Sequence, residues 1–161
     1  MASCTGTAPD GANFDTSSLG TKAFQVNATD GVGNQSSRSV DYGVAYDFRG
    51  FFRPVDNPPT VNVVKAGSAV PVKFSLGNDY GLDIFAEGYP QSGRVANDPN
   101  AAMDNIEVTV SAGSSGLSYD AAAKQYTYVW KSSKEWAGTS RRLIVKLEDG
   151  TDHIAFFKFT K

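Results

Sequence analysis

Apolar residues recur at every second position in short bursts along this chain, the period of half-buried strands. Val70, Val72, Phe74 and Leu76 share one face of an extended segment, and Pro71, Lys73 and Ser75 share the other. Proline brings no N–H to a ladder, so this strand is expected to run along a sheet edge or to end its pairing at Pro71. Lys73 then points outward, where a cation deters pairing with a foreign strand. The same period predicts a strand over 106–112 with Ile106, Val108 and Val110 inward, and one over 125–130 with Tyr126, Tyr128 and Trp130 on one face. Further strands are expected over 60–64, 82–86, 143–147 and 153–160. Asp149-Gly150 is a hairpin signal between the last two, and residues 132–136 suit one helical turn. Between Glu87 and Asn105 no period is visible. Loops beyond about 12–15 residues in a compact domain are usually functional or mobile, so 87–105 is the surface on which function is first sought.

Residues 1–48 form a separate unit. Phe24, Val26 and Ala28 line one strand face and Val40, Tyr42, Val44 and Tyr46 another, with Asp30-Gly31-Val32-Gly33-Asn34 as the loop between them. About three strands are expected here, which is half of a sandwich and leaves an apolar face and strand edges uncovered. Such a sheet docks onto the following domain or is completed by another chain. The junction from Asp47 to Pro59 combines Phe48, Phe51 and Phe52 with Pro54, Pro58 and Pro59. It reads as a short packed hinge, too apolar for a free tether.

Composition supports an all-β reading. Gly, Ser, Thr, Asn and Tyr are plentiful and helix formers sparse. A chain of 161 residues buries about 70% of its unfolded surface. The net charge of −2 neither seeks nucleic acid nor clings to anionic membranes. No apolar run approaches the roughly 18 residues that span a bilayer, so membrane insertion is not expected. No charged start leads into an apolar core, so a signal peptide is not seen. Met1-Ala2-Ser3 reads as an added start on a piece of a longer chain, which leaves the compartment open. Cys4 is the single cysteine, and an internal disulfide is excluded.

Pro71-Val72-Lys73-Phe74 resembles the motif that names the PxKF domain, a module near the C-terminal ends of secreted and surface-attached bacterial proteins. Gly50-Phe51-Phe52, Pro54-Val55-Asp56-Asn57-Pro58-Pro59, Lys65-Ala66-Gly67-Ser68-Ala69, Gly81-Leu82-Asp83-Ile84-Phe85, Gly88-Tyr89-Pro90, Tyr126-Thr127-Tyr128-Val129-Trp130-Lys131 and Trp136-Ala137-Gly138-Thr139 are similar to that family in the same order. The resemblance covers roughly residues 46–161. Ser3-Cys4-Thr5-Gly6, 15–21, 24–30, Gly33-Asn34 and Tyr42-Gly43-Val44 resemble the second half of a bacterial immunoglobulin-like repeat. Together they imply an all-β fold, an immunoglobulin-like β-sandwich of PxKF type over 49–161 with a partial immunoglobulin-like sheet over 1–48 before it. They also imply an extracellular or cell-surface location and no reaction. The repeat family implies that Cys4 pairs with a cysteine upstream. Members of the PxKF family often carry a cysteine pair where this chain has Asn97 and Ser140, so a staple worth about 2–4 kcal/mol is missing from the long loop.

Candidate chemistry is sparse. Nucleophilic catalysis needs a nucleophile with a base in reach; His153, the one histidine, has no motif around it and reads as a solvent-facing strand-end residue. Cys4 reads as an orphaned half-cystine or a reactive thiol. The acids Asp30, Asp120, Asp149 and Asp152 lie in turns, where Asp usually serves its own backbone. Asp98, Asn100 and Asp104, with Asn105, crowd the long loop, and Asn78, Asp79 and Asp83 precede it. Oxygen-rich loops of this kind bind calcium or are plain structural turns, so structural calcium is the one candidate cofactor and Asp98, Asn100 and Asp104 its candidate ligands. Arg141-Arg142 reads as an isolated basic pair on a solvated face. Tyr80, Tyr89 and Trp136, with Arg94, are candidate binding residues for a glycan, while Phe85, Tyr119 and Trp130 join the same list of aromatics; core packing is the competing use for all of them. An amide crosslink from Lys73 has only Lys73 in its favour.

The expectation is a non-catalytic spacer or terminal module whose partners are the neighbouring domains of a longer chain. Two alternatives stand beside it. One is a glycan- or protein-binding module using 87–105, and the other is an assembly module that completes its open N-terminal sheet with a second copy.

Overall fold

The computed structural model describes residues 2–96, 101–112 and 116–161. It divides into two compact units, Met1–Tyr46 and Asp47–Lys161, and both are built from strands.

The first unit is a three-stranded antiparallel sheet in the order β1-β2-β3, formed by β1 (Ser3–Gly6), β2 (Gly20–Thr29) and β3 (Gln35–Val44). Its register sets Phe24 opposite Val40 and Lys22 opposite Tyr42. Alternation therefore gathers Phe24, Val26, Ala28, Tyr42 and Val44 as a half-buried stripe. Phe14 folds back over it, edge-on to Phe24 at 5.3 Å and tilted on Tyr42 at 5.1 Å. Asp15 fixes that return: its carboxylate accepts from the Ser17 backbone and hydroxyl and pairs with Lys22 Nζ at 2.7 Å. These donors hold the Asp15 carboxyl well below its ordinary pKa. Asp30 closes the β2–β3 loop by accepting from Val32 N, Asn34 N and Asn34 Nδ2. None of the described residues 2–46 is buried.

The second unit contains β4 (Phe51–Phe52), β5 (Val61–Lys65), β6 (Ala69–Phe74), β7 (Gln91–Val95), β8 (Asp104–Val108), β9 (Leu117–Asp120), β10 (Gln125–Lys131), β11 (Ser140–Lys146) and β12 (Asp152–Thr160). They form a four-stranded sheet in the order β4-β6-β10-β9 and a five-stranded sheet in the order β5-β12-β11-β7-β8. Every pairing is antiparallel except β5 with β12. The two sheets face each other as a sandwich. Val70, Val72, Phe74, Leu76, Tyr126, Tyr128 and Trp130 meet Leu143, Val145, Leu147, Ala155, Phe157 and Phe159, all of them buried. Trp130 sits edge-on to Phe157 at 5.2 Å and to Phe159 at 5.7 Å. Val72 and Phe74 of the motif are thus core, while Pro71 and Lys73 are half-buried on the opposite face.

The motif strand is an edge for part of its length. Along one side β6 pairs with β10 from Ala69 to Phe74, and along the other β4 reaches only Lys73 and Phe74. Ser75, in phase with the outward residues, is nevertheless buried, and its backbone carbonyl accepts from Arg49 N. The junction is packed, with Phe51 and Val55 buried. Two side-chain amides hold it by imitating a strand. Asn57 accepts from Phe51 N at 2.7 Å and donates to Phe51 O at 2.9 Å. Asn62 does the same with Asp56 and also donates to Phe156 O at 3.1 Å.

Several expectations need correction. No strand forms over 82–86: with left-handed Gly81 and Gly88 on either side, Ile84 is buried but Phe85 makes only a single bridge to Leu147. The segment 87–105 is not a structureless loop, because β7 lies within it and pairs on both sides. Its composition hid it: Ser92 and Gly93 are buried with Val95 as the one buried apolar side chain, and a Cβ at Gly93 would come within 2.9 Å of Met103. β9 was likewise invisible, with Leu117 as its one buried apolar residue. Residues 134–136 form a 3₁₀ turn, capped by the Ser133 hydroxyl.

Candidate functional site

The strand expected over 106–112 turns out inverted. Ile106, Val108 and Val110 face outward with 55%, 55% and 62% of their surface exposed. Of the residues between them, Glu107 stays exposed and Thr109 is half-buried, and both bond back to the sandwich. Glu107 pairs with Arg141, and Thr109 Oγ1 meets Tyr128 Oη at 2.6 Å and donates to Pro90 O at 2.9 Å. The segment also passes from one sheet to the other. Its first half pairs with β7 through Asp104 to Val108, and then Lys131 N donates to Val110 O and Ala112 N to Val129 O on β10. One strand so shared cannot turn both faces to the core, and the hydrogen bonds of Glu107 and Thr109 decide which face goes in.

Beside this crossing lies a groove of about 300 Å³ between Glu107–Val110 and Lys131–Ser133, with Trp136 at one side. Arg141 packs against Trp136, its guanidinium carbon 4.0 Å from the ring centre. That guanidinium donates to Glu107 Oε1 and, at 3.4 Å, to Ser92 Oγ. Burial pulls its pKa below the ordinary arginine value, Glu107 pulls it back up, and Arg94 on the neighbouring strand adds a like-charge push downward. Arg141 is 5% exposed, so the expected solvated basic pair is corrected. The alternation of Leu143, Val145 and Leu147 carries Arg141 into the inner phase, and Arg142 lies on the other side, donating to Ala101 O at 3.0 Å. That phase was the signal by which the sequence could have revealed Arg141; the Glu107 partnership had none.

The candidate binding residues do not converge. Trp136 is half-buried and packs against Arg141, Trp130 at 5.4 Å and Phe159 at 5.3 Å, so its ring is largely taken up by packing. Tyr80 lies by the start of β10, where its backbone N–H donates to Tyr126 Oη at 2.6 Å, while Trp136 packs at the other end of that strand. Tyr89 stands near Lys146, whose Nζ is 5.7 Å from the ring centre. Arg94 is exposed and opposite Asp104 in the β7–β8 register. Of the calcium set, Asp98 and Asn100 lie outside the described residues, as does Asn97. Asp104 is an exposed member of β8, and Asp79 accepts from Gly81 N within its own turn. Among the described residues no group of three or more His, Cys, Asp or Glu is placed to hold a metal ion.

His153 is not the solvent-facing residue expected. It stacks on Phe48 with ring centroids 3.5 Å apart and planes 8° from parallel, and its Nε2 lies 2.9 Å from Thr151 Oγ1. Burial lowers its pKa, against smaller upward pulls from Asp149 and Asp152. The turn acids Asp120 and Asp149 bond their own loops. Cys4 is a free, exposed thiol on β1. Among the described residues no helix is long and apolar enough to cross a membrane. Comparison with family models, curated proteins and solved structures finds no match.

Proposed function

We propose that this chain is a non-catalytic, immunoglobulin-like β-sandwich module of PxKF type from a longer secreted or cell-surface bacterial protein, where it acts as a spacer or terminal module for its neighbouring domains. The observation that carries this reading is how its reactive side chains are used. His153 lies flat on Phe48 with its Nε2 beside a threonine hydroxyl, and Arg141 is stacked on Trp136 and bonded to Glu107. A general base must take the proton of the nucleophile it faces; the Thr151 hydroxyl beside His153 gives its proton to Asp149 Oδ1 at 2.7 Å instead, and the candidate groups serve packing and turns. A panel of polysaccharides, peptides and esters incubated with the purified chain tests this. Buffer-level hydrolysis is expected, and turnover that co-purifies with the chain would overturn it.

The outward row Ile106, Val108 and Val110 favours protein binding as a second reading, in preference to glycan binding. Apolar residues at alternate positions beside a groove suit an extended peptide, which pairs by backbone and apolar side chains. Peptides selected on the wild-type chain by display should carry alternating apolar residues. They should lose binding to a folded Ile106→Ser/Val108→Ser/Val110→Ser variant, and selection of peptides indifferent to that variant would sink the reading.

A further inference from the structure

We infer that β3 is a self-recognition edge, through which two copies of this chain pair antiparallel about a two-fold axis at Val40. This inference goes beyond the module reading and does not rest on it. β3 is ten residues long and ends its sheet, bonded to β2 along one side only. The opposite end of the sheet, β1, is only four residues. Long edges are normally blunted with lysine, proline or a bulge, and β6 shows such devices in Pro71 and Lys73. β3 has none: its sequence QSSRSVDYGV pairs without a register shift, and its charges are one cation and one anion.

Those two charges limit the registers. In an antiparallel pair, residues directly opposite share a face, and a two-fold axis normal to the sheet preserves faces, so paired residue numbers sum to an even value. An axis at Arg38 or at Asp41 sets like charges against each other, which is destabilising. An axis at Val40 sets Val40 against its own copy, Arg38 against Tyr42 of the second copy and Ser39 against Asp41 of the second copy. The overlap then runs from Ser36 to Val44. An axis at Ser39 also avoids like charges and sets Asp41 against Ser37, but it places Tyr42 opposite Ser36 and Arg38 opposite Val40, so the cation has no partner. The Val40 register offers two cation–π pairs, two hydroxyl–carboxylate pairs and an apolar centre where Val40 is now 57% exposed. It also extends the half-buried stripe of Phe24, Val26 and Tyr42 into one six-stranded surface, in a unit where no described residue is buried.

The test uses the full chain. Sedimentation should show mass rising toward twice the monomer with concentration, and Val40→Lys should weaken association about tenfold by opposing two cations at the axis. In a Cys4→Ser background, Val40→Cys should form an intermolecular disulfide faster than Val32→Cys at the loop tip. Arg38→Cys and Tyr42→Cys should crosslink to each other in a mixture and poorly alone. Far-UV circular dichroism checks that each variant retains its strands. A monomeric mass at every concentration would overturn the inference, and so would crosslinking that is equal at Val40 and Val32 or absent from the Arg38–Tyr42 mixture.

Discussion

At the scale of single residues, the structure turns on which polar groups are turned inward. Arg141 and Glu107 are asymmetric partners, one buried and the other with 46% of its side chain exposed. Removing the exposed partner leaves a buried guanidinium poorly compensated, whereas replacing the buried one with an apolar side chain of similar length does not. Glu107→Ala is therefore expected to destabilise by about 1–3 kcal/mol, and Arg141→Met to stay within about 1 kcal/mol of wild type, both read by urea unfolding. A larger loss for Arg141→Met would mean that the ion pair itself stabilises. His153 adds a pH dependence with a defined sign. Its folded-state pKa lies below the ordinary value of 6.5 because burial disfavours the cation, so the unfolded chain binds more protons near that value. Its contribution is fully present above about pH 6.5 and is lost as pH falls toward the depressed folded-state value. His153→Phe, which keeps the stack on Phe48, should flatten this slope relative to wild type, as measured by melting temperature at stepwise pH. An unchanged slope would assign it to carboxylates. The phase of Leu143, Val145 and Leu147 hints at Arg141's burial, but its Glu107 partner and the Phe48 ring under His153 come from segments far away in sequence and were not legible locally.

At the scale of elements, the clearest strands were those with one apolar face and one polar face. β6, β10 and β11 announce themselves because each buries one side against the opposing sheet, and β12 does so by its buried run of Ala155, Phe156 and Phe157. β7 and β9 do not, since β7 buries Ser92, Gly93 and Val95 and β9 buries Leu117 alone, and neither set makes an apolar period. The 106–112 segment carries a clear period and still misleads, because alternation fixes which residues share a face without fixing which face is inside. The junction is a further case: its prolines and phenylalanines point to a packed connection, but what holds it is a pair of asparagine amides. Asn57→Ala should cost about 1–3 kcal/mol by leaving both backbone groups of Phe51 unpaired. Asn62→Ala should cost at least as much, as Phe156 O loses its donor too. Equilibrium unfolding measures both, and wild-type stability in either variant would show that water replaces the amide at no cost.

At the scale of the whole molecule, one unit has a sandwich core and the other a single sheet with no buried residue among those described. Local opening follows burial and contact density. Hydrogen exchange should therefore find the slowest amides in β6, β10, β11 and β12 and markedly faster ones in β3, with the β3 amides slowing as concentration rises if the edge pairs. Equal protection in both units would contradict this. By itself the sequence determined that the chain is all-β, where its aromatic strands lie and that the first unit holds about three strands, because period two, turn residues and composition are local properties. Tertiary structure alone decided the pairing of Glu107 with Arg141, the stacking of His153 on Phe48 and the exposure of Ile106, Val108 and Val110. Those outcomes depend on which strand lies opposite which, and hydrogen-bond partners from distant segments settle that choice at positions where local pattern is silent or points the other way.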